Sequence, residues 1–196
     1  MKKVNPKKGF LFVISGPSGS GKTTIAQRIL KRKKLKKILF KSISFTTRPK
    51  RLGERNGQDY FFINLEEFKE KRRKKRILEW TKYLGYYYAT PKDLILKQLK
   101  QRKNIILCLD IRGALKIKKL YPKNTVTIFL KPPSLEDLKA RIKKRSSRIA
   151  KEEIRKRLAL ADQELKLAKL YDYCLINKNL KETVKQLEKI ILERIN

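Results

Sequence analysis

Residues 16 to 23 read GPSGSGKT, a G-x-x-x-x-G-K-[ST] spacing set between the apolar run FLFVIS and a stretch with helical patterning. Gly16, Gly19 and Gly21 let the backbone bend until successive N–H groups point inward at phosphate oxygens. The N-terminus of the following helix adds partial positive charge at the same spot. Lys22 is long enough to reach the β- and γ-phosphates of a nucleoside triphosphate, and the Thr23 hydroxyl is a ligand for Mg²⁺. The donor-binding set is therefore Gly16, Pro17, Ser18, Gly19, Ser20, Gly21, Lys22, Thr23 and the adjoining Thr24. A second metal-side group belongs at the end of a buried strand, and Asp110, after IILCL, is the candidate. The motif implies triphosphate binding and leaves the reaction open.

These groups need a scaffold of alternating strands and helices. Phe10 to Ser15 is short, apolar and β-favouring, as expected of a buried parallel strand. Further strands are expected at 104–111, 125–130 and 172–177, with helices at 22–34, 91–102, 113–120, 134–144, 151–170 and 180–195. That alternation predicts an α/β fold whose parallel sheet is covered on both faces. The segment 42–90 breaks the rhythm with turn residues, aromatics and alternating character, and predicts an inserted subdomain of mixed strands.

The chain has 53 Lys and Arg against 18 Asp and Glu, a net charge of +35. Such an excess raises nucleic acid as a partner, yet the lysines are spread over every segment, through KRKKLKK, KEKRRKKR and RIKKRSSR alike. The pattern fits solvated surfaces, with nucleic acid binding expected only as a nonspecific electrostatic effect. Histidine is absent, which excludes His-based acid–base chemistry and His metal ligation. Cys108 and Cys174 lie far apart in apolar surroundings and read as buried reduced thiols. The first residues imitate a signal peptide with too short an apolar run, and no stretch is long enough to span a membrane. A cytoplasmic location is expected, as a monomer or homo-oligomer.

Beyond the phosphate loop come SFTTRPKRLGERNGQDYFF, ILEWTKYLGYYYATP, LDIRGA, FLKPPSLEDLKARIKKR and DYCLIN, in that order. In this succession the chain closely resembles the guanylate kinases, over about Gly9 to Ile191. The resemblance implies a three-layer P-loop kinase fold within one domain: a core at about 9–41, 91–133 and 156–196, a GMP-binding subdomain at about 42–90, and a helical lid at about 134–155. It implies ATP and GMP as substrates, with Mg²⁺ accompanying ATP. Ser44 contacts guanine, Arg48, Arg51, Tyr60 and Tyr88 hold the acceptor phosphate, Glu79 and Thr90 recognise the base, and Asp110 joins this set. Asn177 matches an asparagine near the adenine side. The catalytic charges implied are Lys22, Arg48 and the lid arginines Arg141, Arg145 and Arg157.

Chemistry agrees with those assignments. Guanine presents donors at N1 and N2, so an ionised carboxylate accepts both, whereas adenine offers an acceptor at N1. Arginine offers a phosphate two parallel charge-assisted bonds. The acceptor is already an anionic oxygen, so no strong general base is required. The chain departs from the family pattern at Cys108, where an aspartate is usual, at Ala89, where glycine is usual, and in a lid without the usual glycines. Two other readings share parts of this pattern: a catalytically inactive guanylate-kinase-like module that binds phosphopeptides, and a related phosphokinase acting on a ribose phosphate.

Overall fold

The computed structural model describes residues 9–145 and 151–195, so part of the expected lid, 146–150, lies outside the described residues. At its centre is β1 (Leu11–Ser15), buried along its whole length. Around it runs a parallel sheet in the order β2 (Leu39–Lys41), β7 (Asn104–Cys108), β1, β8 (Thr125–Lys131), β9 (Tyr173–Ile176). Side chains alternate across a strand, and β1 accordingly feeds two cores. Phe12 and Ile14 join Ile106, Ile128 and Leu130 under α1 (Lys22–Leu30) and α7 (Leu180–Ile195). Leu11 and Val13 join Ile105, Leu107 and Phe129 under α3 (Lys92–Lys100) and α4 (Ile111–Leu120). The expected α/β layering is present.

The second sheet is drawn from Phe45 to Pro91, in the order β4 (Phe61–Phe62), β3 (Phe45–Thr46), β6 (Tyr86–Pro91), β5 (Ile77–Tyr83). Strands β5 and β6 form an antiparallel hairpin in which Glu79 pairs with Thr90 and Tyr83 with Tyr86. The turn between them has Leu84 and Gly85 at φ 48° and 87°, the left-handed pair that a tight hairpin requires. Between β4 and β5 lies α2 (Leu65–Arg73), started by a reciprocal cap between Asn64 and Glu67. Its one buried residue, Phe68, stacks on Tyr87 with ring centres 4.4 Å apart. Helices α5 (Leu135–Arg145) and α6 (Lys151–Lys166) pack through Leu138, Ile142 and Ala161, and a single 3₁₀ turn carries α6 on to Leu170.

Some element boundaries move from those expected. Helix α1 stops at Leu30, because the chain then turns through 31–38 to bury Leu35 completely and return as β2. That three-residue strand is hidden in sequence behind the lysine run. Helix α4 starts at Ile111 because the Asp110 carboxylate accepts from the Gly113 N–H at 2.8 Å and caps it. Cys174 is exposed rather than buried, because it alternates with the inward Leu175 on the edge strand β9.

Candidate active site

The phosphate loop leaves β1 at the C-terminal edge of the sheet, where strand ends and a helix N-terminus meet. Gly16, Gly19 and Gly21 all have left-handed φ, at 138°, 91° and 100°. A Cβ on Gly16 would stand 2.3 Å from the Leu130 carbonyl oxygen, and one on Gly21 would stand 2.5 Å from Asn177 Nδ2. Glycine is thus required by conformation and by space. Lys22 Nζ donates to the carbonyls of Gly16 at 2.6 Å and Pro17 at 2.9 Å, curling over the loop. Thr23 and Thr24 are exposed in the first turn of α1. Asn177, from the end of β9, buttresses the loop by donating from Nδ2 to the Ser20 carbonyl at 2.8 Å. Its own carbonyl accepts from Arg141 at 2.9 Å, so Arg141 on α5 is tied to this donor side.

Beside the mixed sheet lies a cluster of an arginine and two tyrosines, Arg48, Tyr60 and Tyr88. Arg48 is 8% exposed, and its guanidinium lies 5.6 Å from the Tyr60 ring centre and 5.8 Å from that of Phe62. Tyr60 and Tyr88 meet edge to face at 6.0 Å. Burial, with the neighbouring Tyr88 phenol, pushes the Tyr60 hydroxyl up to about 12, so it remains a neutral donor. One Arg48 nitrogen contacts both Glu54 oxygens, at 2.7 and 2.8 Å, and the other donates to the Pro49 carbonyl at 2.6 Å. Glu54 also accepts from the Arg51 backbone N–H at 2.8 Å. Burial alone would raise the Glu54 carboxyl, but the Arg51 N–H and the Arg48 guanidinium outweigh it and hold it below the usual range. Arg51 itself extends from this loop with an exposed side chain. Ser44 lies half-buried beside β3, its carbonyl accepting from Phe61 at 2.9 Å.

Glu79 is the least expected of the charges to find buried, at 3% exposure. The Thr90 hydroxyl, opposite it on the hairpin, donates to its Oε1. Desolvation dominates, reinforced by the Asp110 carboxylate, and pushes the Glu79 carboxyl up to about 7 against the pull of Thr90. Its other oxygen is accommodated by a glycine: a Cβ on Gly113 would stand 2.7 Å from Glu79 Oε2 and 3.1 Å from Asp110 Oδ1. This explains the glycine in LDIRGA. Glu164, on α6, is also raised by burial, against Lys22 and with Asp110 adding to the rise.

At the strand end that precedes Asp110, the Cys108 thiol faces the Lys22 carbonyl at 3.7 Å. Burial pushes it up to about 11, despite nearby Lys22 and Lys41, so it adds no negative charge at neutral pH. Arg157 on α6 reaches the phosphate loop and donates to Ser18 Oγ at 2.9 Å. Arg145 is the last residue of α5, and its side chain lies outside the described ones. Sequence reasoning missed Glu54, Glu164 and Gly113. Glu54 serves Arg48 and Arg51 within its own loop, whereas Glu164 and Gly113 are unremarkable by local pattern and acquire their places beside distant segments.

Thr23 and Asp110 are hard oxygen donors, as a small divalent cation prefers. Asp110 Oδ1 is shared with the α4 cap, and among the described residues no group of three or more carboxylate, thiol or imidazole ligands forms a metal cage. This limited donor set fits a cation held mainly by phosphates and water.

A phosphate loop at the end of a parallel sheet, facing a separate mixed sheet with an arginine–tyrosine cluster and a buried carboxylate, defines a P-loop phosphotransferase of the nucleoside monophosphate kinase type. The family model described as "Guanylate kinase" matches residues 8–194. Guanylate kinase of Caldanaerobacter subterraneus subsp. tengcongensis is 44% identical over 95% of this chain and 88% of its own length. That of Thermotoga maritima is 42% identical over 94% and 86%. The crystal structure of guanylate kinase from Anaplasma phagocytophilum superposes with a TM-score of 0.80 at 29% identity, covering 96% of this chain and 88% of that one. The chain belongs to the guanylate kinase family.

Proposed function

We propose that this chain transfers the γ-phosphate of ATP to GMP, and likewise to dGMP, giving ADP and the nucleoside diphosphate, a step of purine nucleotide metabolism and GMP recycling. The observation that carries the reading is the buried Glu79 carboxylate, joined to Thr90 on the hairpin that also bears Tyr88. Burying a carboxylate is costly unless a ligand uses it. The N1–H and N2–H of guanine are the donors that would satisfy it, and AMP has no N1–H to offer.

In this reading the loop amides and Lys22 hold the donor phosphates. Arg48, Arg51, Tyr60 and Tyr88 hold the acceptor phosphate, with Ser44 and Thr90 at the base. Thr23 and Asp110 would hold a divalent cation, in our reading Mg²⁺, which would supply positive charge to the donor phosphates. The acceptor oxygen is already ionised, so the residues act by alignment and charge neutralisation. Arg141, Arg145 and Arg157 contribute positive charge around the transferring group, and Asn177 steadies the loop on the adenine side. Packing of α5 and α6 across the site excludes water, which would otherwise act as acceptor. Among the described residues no helix is long and apolar enough to cross a membrane, and we place the chain in the cytoplasm. Its basic surface engages nucleic acid only nonspecifically. The family match favours neither the phosphopeptide module nor the ribose-phosphate kinase. A coupled assay with ATP and GMP, AMP or ribose bisphosphate as acceptor tests the proposal; absence of ADP formation with GMP refutes it.

A further inference from the structure

A guanidinium can grip a phosphate through either of two pairs of parallel N–H groups, Nε with Nη2 or Nη1 with Nη2, and both pairs include Nη2. In Arg48 that shared corner is taken. Nη2 lies 2.7 Å from Glu54 Oε1 and 2.8 Å from Oε2, while Nη1 donates to the Pro49 carbonyl at 2.6 Å. The pairing has a physical reason: the Arg48 side chain is 9% exposed, and a guanidinium so deeply placed needs an anion beside it. A local turn puts Glu54 there, its N–H donating to the Arg51 carbonyl at 3.1 Å and its Oε2 accepting from the Arg51 N–H at 2.8 Å. The turn itself stands in solvent. Leu52 and Gly53 are exposed, and a Cβ on Gly53 would meet nothing within 4 Å, so the carboxylate has room to move aside.

We propose that Glu54 is a specificity-determining residue, a resident counter-anion that occupies the Arg48 fork until the phosphate of the acceptor displaces it. The inference rests on the kinase reading above, in which Arg48 holds that phosphate. Two anions on one buried guanidinium repel each other, so the phosphate gains Nη2 only as Glu54 gives it up. Part of the acceptor's binding free energy goes into this exchange. A phosphate monoester carries more negative charge than a carboxylate and has three acceptor oxygens, so it can make the exchange. Guanosine, with no phosphate, presents nothing to Arg48 and leaves Glu54 in place. The device keeps Arg48 paired before and after the exchange, and makes tight binding conditional on the phosphate.

The test is Glu54→Gln, which keeps the shape and an acceptor for the Arg51 N–H and removes only the charge. Binding of GMP, guanosine and ATP is read by calorimetric titration. A neutral bond to Arg48 is roughly half as strong as a charge-assisted one, so we expect the GMP dissociation constant to fall by about tenfold. Guanosine and ATP should bind within about twofold of the unmodified chain, which also reports that the variant is folded. Glu54→Asp keeps the charge but sets it one methylene further from Nη2; it should give a smaller gain in the same direction, and it carries the test if the amide variant does not fold. GMP affinity that is unchanged or weaker in the variants overturns the inference and leaves the kinase reading intact, since Glu54 would then steady Arg48 for the phosphate. An equal gain for guanosine overturns it as well, because the exchange requires a phosphate. If the unmodified chain forms no GDP from GMP and ATP, the kinase reading fails and the exchange at Arg48 fails with it.

Discussion

Replacing Glu79 by glutamine should make the protein more stable and a poorer kinase, and the two effects have separable causes. The carboxyl is raised from 4.5 to about 7, first by burial and then by Asp110. A shift of that size is worth about 3 kcal/mol of unfavourable free energy for the charged form. The folded protein therefore retains a proton that the unfolded chain has released between about pH 4.5 and pH 7. Stability of the unmodified protein accordingly falls as pH rises through that window, and the whole penalty is present above it. Glutamine does not titrate, can still accept from Thr90, and turns an amide N–H₂ rather than a second negative charge toward Asp110. Glu79→Gln should thus match the unmodified protein near pH 4, gain steadily above pH 5, and exceed it by up to about 3 kcal/mol at pH 8, roughly 6–12 °C in Tm for a chain this size. With GMP, one of the two guanine donors would meet the amide N–H₂. Losing a charge-assisted bond and stranding a donor costs about 3 kcal/mol or more, a fall of at least about 100-fold in kcat/KM, with KM for ATP within about twofold. Urea unfolding at pH 4, 6 and 8 together with steady-state kinetics checks both halves. A stability difference that is the same at all three pH values, or a variant less stable at pH 8, would refute the burial argument. Undiminished GMP use would refute the role at the base.

Other perturbations follow from single contacts. Gly113→Ala places a methyl 2.7 Å from Glu79 Oε2, and should raise KM for GMP about tenfold while leaving KM for ATP unchanged, since a displaced carboxylate loses roughly one good bond; an unchanged KM for GMP counts against that packing. Gly21→Ala meets Asn177 Nδ2 at 2.5 Å at a left-handed φ of 100°, and should weaken ATP binding by about 10- to 100-fold, from roughly 1–3 kcal/mol of strain, as read by calorimetric titration. Glu54→Ala strands Arg48, whose side chain is 9% exposed, and should destabilise the protein by about 3 kcal/mol. Saturating GMP should then raise Tm more in this variant than in the unmodified chain, because its phosphate replaces the lost anion.

Much of the fold was legible because its signals are local. FLFVIS, the glycines of the loop and the alternation of apolar runs with helical stretches require no distant partner to be read. The charge excess was legible as a number and uninformative as a site, since Arg48 differs from its many basic neighbours only in being buried beside Tyr60, Tyr88 and Glu54. The short strand β2 was lost for the converse reason: three residues after a lysine run carry too little pattern, and only pairing with β7 makes them a strand.

What the sequence determined by itself is the phosphate loop and the layered scaffold around it, because glycine freedom, β-branched apolar runs and helix starts act over a few residues. Spacing and family likeness supplied the names of the residues proposed for the acceptor. Tertiary structure decided their chemical state. Glu79 is an ordinary surface type of residue until the hairpin folds it against Gly113 and Asp110, and only then does desolvation lift its carboxyl to about 7. Arg48 is held by a carboxylate from its own loop, and Ser18 accepts from Arg157 on a helix far away along the chain. Burial and electrostatics depend on what surrounds a group in space, and that is fixed only when distant segments meet.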